Sequence, residues 1–122
     1  MDIAILQEEL VRFHSEWNEL GNHFDKTEEK IIDYIISDEK EWAIKHFENL
    51  KDIENKMRPI RNNMMYAYEN LAQFSYEKGK QNEVVLLKEK ANEFYKNSRT
   101  RNERSLKLVG ILNRNGIDVY SI

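Results

Sequence analysis

The sequence predicts an all-α protein, an up-and-down antiparallel bundle of four to five helices. Three observations predict it. Ile3, Leu6, Leu10, Phe13, Trp17, Leu20 and Phe24 are separated by alternating steps of three and four, a heptad seam that only a helix turns to one side. Helix breakers are scarce, with 4 Gly and 1 Pro in 122 residues, while Glu, Lys, Asn and Leu abound. Short turn signals separate the periodic stretches, and no long linker intervenes, which favours antiparallel neighbours.

The first helix has Asp2 placed to cap it, and its seam continues through Thr27, Ile31 and Tyr34. Gly21-Asn22 interrupts the helix propensity and leaves two readings. Gly21 ends the helix in the left-handed conformation and Asp25-Lys26-Thr27-Glu28 restarts it as a capping box. Alternatively the helix runs through to about Ile36 with Gly21 costing about 1 kcal/mol. The unbroken seam favours the second. Ser37-Asp38-Glu39 is a boundary, and Asp38 with Glu41 reads as a capping box for the next helix. That helix carries Trp42, Ala43, Phe47, Leu50, Ile53 and Met57 on one face and is expected to end before Pro59.

Pro59 suits the first turn of a third helix, with Ile60, Met64, Tyr68, Leu71, Ala72 and Ser75 on one face and Gly79 ending it. Met57, Met64 and Met65, close together here, read as core filling. Asn82 is the expected cap of a fourth helix built on Val84, Leu87, Ala91 and Phe94. This helix either continues past Ser98 or breaks there, leaving Leu106, Val109 and Leu112 to a fifth. Asn115-Gly116 ends it. The tail, residues 117–122, is expected as a packed extended end able to add as a strand.

Two stretches carry a further pattern. Trp17-x2-Leu20-Gly21-x2-Phe24 resembles the first-helix signature of the tetratricopeptide repeat, W-x2-L-G-x2-Y. Ala43-x3-Phe47-x2-Leu50 is similar to its second helix, displaced by about ten residues from the family's repeat length. Residues 68–95 resemble the repeat more continuously. Tyr68, Leu71 and Ala72 take the W, L and G places, Gly79 the turn, and Val84 and Ala91 the small positions, whereas Ser75 and Lys88 depart from the pattern. The resemblance implies helical hairpins that stack into a protein-binding surface. Small residues let the helices approach, and large ones fill the gap to the next hairpin.

The length fits a single domain, residues 1–122. Its charge is uneven. Residues 1–58 hold 15 acidic and 8 basic side chains, residues 59–122 hold 7 and 11. Such asymmetry steers a partner or favours antiparallel self-association. No cysteine is present, so there is no disulfide framework, thiolate metal site or cysteine nucleophile, and the cytoplasm is the expected location. The N-terminal stretch lacks the basic region of a signal peptide. No run approaches the roughly 18 apolar residues of a membrane span.

Catalytic patterns are missing. His14, His23 and His46 fall in no metal-ligand spacing and lie beside apolar stripes, where histidines of intermediate burial belong. The glycines are isolated, and no nucleophile–base set is visible. The expectation is a protein that is not an enzyme and needs neither metal nor cofactor. One polar cluster stands out: Lys96, Arg99, Arg101, Arg104 and Lys107, with Glu103 the acid among them. It reads as a solvated face, a contact for an acidic protein surface, or a phosphate-binding patch. The expected function is that of a small adaptor or chaperone-like regulator acting through helical surfaces. Ile3, Leu6, Leu10, Phe13 and Trp17 are the candidates for contact with another protein or a second copy, unless the other helices cover them. The alternative is a nucleic-acid-binding regulator using residues 96–107.

Overall fold

The computed structural model describes residues 3–119. Its first helix, α1, runs without a break over Ile3–Ile36, so the seam crosses Gly21 inside one helix. The second, α2, spans Lys40–Glu77 and contains Pro59. The third, α3, spans Gln81–Arg114, passing Ser98 unbroken. The described residues are therefore all-helical, with three helices rather than four to five. The Asp2 cap lies outside them.

The lower count comes from Pro59. The expected helix end before it does not occur, although proline lacks the N–H that would bond the Asn55 carbonyl. Periodicity explains why. Leu50, Ile53, Met57, Ile60 and Met64 continue the three-and-four spacing across Pro59, and all pack inward. Breaking the helix there would turn half of this stripe away from α1. Packing along the stripe outweighs the local cost of about 3 kcal/mol.

All three helices end in the same way. At Asp38, Gly79 and Gly116 the backbone takes a positive φ, of 58°, 73° and 80°. In each case the following N–H reaches back five residues and the left-handed residue's own N–H reaches back three. Glu39 N–H donates to the Tyr34 carbonyl, Lys80 N–H to Ser75 and Ile117 N–H to Leu112. These are Schellman motifs. The glycines at 79 and 116 are expected there. Asp38 is a correction: it occupies the left-handed turn, which Asp tolerates, and makes no cap for α2. The residue preceding α2, Glu39, has no side-chain cap hydrogen bond either. Nor does Asn82 cap α3, which starts at Gln81.

With turns this short, α1 and α2 are antiparallel, α3 returns beside α2, and α1 and α3 point the same way. Three apolar clusters run along the bundle. Leu6, Ala67 and Leu71 close one end, where α1 begins. Trp17, Met57, Met64, Tyr68 and Phe94 fill the middle. Phe24, Ile31, Phe47, Leu50, Leu108 and Leu112 fill the other end, sealed by Ile117 and Val119 of the tail. Of the expected packed extended tail, Ile117 and Val119 are buried, residues 120–122 lie outside the described residues, and no strand forms among the described ones. No described helix is long and apolar enough to cross a membrane.

Candidate binding surfaces

The heptad seam is used within the chain. Leu6 and Trp17 are buried, and Ile3, Leu10 and Phe13 are half-buried against the clusters formed with α2 and α3. As a contact for another protein, these five residues are largely covered. Trp17 is tied down further. Its indole N–H donates to Asn97 Oδ1 at 3.2 Å, and its ring meets Phe94 edge-on with centroids 4.8 Å apart.

The basic segment does not present one face. Arg104 turns to α1, where its guanidinium lies 2.5 Å from Glu28 Oε1 and 2.9 Å from Asp25 Oδ1, over the Phe24 ring. These hydrogen bonds hold its pKa above the usual arginine value, Glu28 contributing most. Arg101 also turns inward. It donates to Asn97 Oδ1, approaches Asp25 at 3.9 Å and lies over the Trp17 ring. Lys96 and Lys107 are exposed. Arg99 is exposed as well, and it lines a cleft of about 360 Å³ between the helices.

This cleft opens where the middle and end clusters meet. Trp17, Phe24 and Met57 form its apolar floor, and Arg58, Arg61, Tyr95, Arg99 and Arg101 stand around it with Glu54. Arg58 and Arg61 escape notice in the sequence because they flank Pro59, the position read as a helix end. Once α2 is continuous, Glu54, Arg58 and Arg61 share one face at four- and three-residue steps. Glu54 accepts a hydrogen bond from the buried Ser105 hydroxyl at 2.5 Å.

A second concavity, also of about 360 Å³, lies between the C-terminal half of α2 and the start of α3. Its lining is mainly apolar. Met65, Tyr68, Ala72 and Tyr76 come from α2, and Val84, Leu87 and Ala91 from α3, with Glu69, Gln73 and Lys88 completing it. The small Ala72 and Ala91 leave the depression that longer side chains would fill. Tyr76, at its edge, is 61% exposed. In the sequence Met65, Tyr68, Ala72, Val84, Leu87 and Ala91 read as core, because the stripe cannot distinguish contact with α1 from contact with solvent.

Near this groove His14 Nε2 and Tyr68 Oη share a hydrogen bond of 2.6 Å. Burial, helped by Lys90, lowers the His14 pKa, and burial, helped by Glu93, raises that of Tyr68. Among the described residues no cluster of three or more His, Cys, Asp or Glu is arranged to hold a metal ion.

No family model, curated protein or solved structure matches the chain. What it does is therefore read from the geometry of the two concavities.

Proposed function

We propose that the protein is a non-enzymatic interaction module that docks an amphipathic helix of a partner protein in the groove between α2 and α3. The observation that carries this reading is the apolar groove itself. Met65, Tyr68, Ala72 and Tyr76 recur at helical steps along one wall, and Val84, Leu87 and Ala91 along the other. Two antiparallel helical walls with a small-residue floor form a seat for a third helix, which would bury its own apolar stripe there. Tyr68, Ala72, Val84 and Ala91 are also positions that the tetratricopeptide-like pattern assigns. In that arrangement the small positions let the helices approach. The alternative, nucleic-acid binding through residues 96–107, has less support because Arg101 and Arg104 are engaged with Asp25 and Glu28.

The test places a long cation in the groove. Ala72→Arg and Ala91→Arg are each expected to keep the helical circular dichroism of the parent, since both side chains face the groove. Each is expected to abolish co-purification of the partner from cells of the natural host, with the partner's cross-linked contact mapping to an amphipathic helix. Equal recovery of the partner with both variants would contradict the proposal. A homodimer dissolved by the same variants would assign the groove to a second copy of this chain instead.

A further inference from the structure

The arginine-lined cleft is separate from the groove and has a different chemistry. Arg58, Arg61 and Arg99 line it and make no ion pair among the described residues. Arg101 lines it too, and its Nε is buried with no hydrogen-bond partner among the described residues. Glu54 is the one carboxylate in the lining, already accepting from Ser105. With Arg101 set against Asp25, the other three guanidinium groups of the lining and the single Glu54 carboxylate leave a surplus of two positive charges.

We propose that this cleft binds a phosphate monoester whose apolar or aromatic body rests against Tyr95, the exposed aromatic side chain of the lining. A phosphate monoester carries close to two negative charges at neutral pH, matching that surplus, whereas a single carboxylate carries one. Guanidinium forks bind its oxygens in pairs. The volume, about 360 Å³, is at the lower end of the roughly 300–1,000 Å³ of small-ligand sites. That fits one small molecule or one modified side chain, and not a nucleic-acid duplex. The chemistry is shared by a nucleotide and a phosphorylated aromatic side chain, so the experiment carries both.

The chain has two tryptophans, and Trp42→Phe leaves Trp17, on the cleft floor, as the sole indole. Its emission then reports occupancy during titration with adenosine monophosphate and with phosphotyrosine, each compared with adenosine and tyrosine. A saturable change is expected for at least one monoester, with affinity at least about tenfold above its dephosphorylated counterpart. Binding is expected to strengthen between about pH 5 and pH 7, as the second phosphate proton leaves near pH 6. Arg58→Gln with Arg99→Gln, both on exposed positions, is expected to weaken it by about tenfold or more at unchanged helical circular dichroism. The monoester that binds more tightly identifies the source. The proposal is overturned if neither monoester gives a saturable response at low ionic strength. It is equally overturned if the dephosphorylated compounds bind as well, or if the folded double variant binds unchanged. An acidic peptide that binds where both monoesters fail would make the cleft a carboxylate site.

Discussion

At Gly21 an added Cβ would stand 2.5 Å from Arg101 Nη2 and 2.9 Å from its Cζ. Both atoms belong to the end of a long side chain, so the conflict is between a methyl group and a guanidinium packed against the glycine. This explains a residue that the seam alone does not require: Gly21 gives Arg101 a path to Trp17, Asn97 and Asp25. Two opposing effects follow for Gly21→Ala. Helix propensity gains about 1 kcal/mol, and the displaced Arg101 gives some of it back. In an Arg101→Ala background only the gain remains. Urea denaturation of the four proteins of this cycle is expected to show the larger stabilisation in that background. Equal effects would mean that Arg101 does not rest on Gly21.

His14 gives a second prediction at this scale. Its folded pKa lies below 6.5, lowered by burial first and Lys90 second. Protonation therefore favours the unfolded chain. The native stability contributed by neutral His14 is present above about pH 6.5 and declines as the pH falls towards the lowered folded value. His14→Gln is expected to flatten this part of the stability profile measured by denaturant midpoints from about pH 5 to 8. An unchanged slope would assign it to other groups.

At the scale of the elements, Pro59 decides the architecture. In the interior of a continuous α2 it costs about 3 kcal/mol, through a missing hydrogen bond and the clash of its ring with the preceding turn. Pro59→Ala is accordingly expected to raise stability by about 2–3 kcal/mol. Were Pro59 instead the first residue of a separate helix, its fixed φ would favour that helix start and alanine would be neutral or destabilising. Thermal or urea unfolding distinguishes the two by sign. The same residue shows how far the sequence is legible. The α1 seam, the turns at Gly79 and Gly116, and the inward stripes apart from the exposed Trp42 and Leu106 are readable because they follow from periodicity and left-handed glycines. The helix count is not, because Pro59 is a strong local breaker whose cost is overcome only by contacts with α1 that the sequence does not display. Asp38 is misread for a related reason: Asp caps helices and also tolerates the left-handed turn, and only the fold selects between them.

The binding surfaces were partly legible for the same physical reason. Arg99 and Arg101 stand out as part of a basic run, yet their different destinations depend on which face of α3 meets α1. Arg58 and Arg61 gain meaning only when α2 continues past Pro59. The seam residues are apolar whether they meet a partner or the chain's own helices, and here they meet the latter.

Over the whole molecule the uneven charge becomes an internal complementarity. Asp25 and Glu28 of the acidic half receive Arg101 and Arg104 of the basic half, fixing α3 beside α1 through long side chains. That arrangement leaves α2 and α3 lining two concavities, one apolar and one cationic, on a scaffold of three continuous helices. The docking groove is the central functional claim, and site-specific photo-crosslinking tests it most directly. A photoreactive residue at Ala72, on the groove, is compared with one at the exposed Lys45, near the opposite end of α2. The account predicts a single cross-linked partner from Ala72, attached through an amphipathic helix, and none of it from Lys45. The same partner captured equally from both positions, or from Lys45 alone, would contradict it.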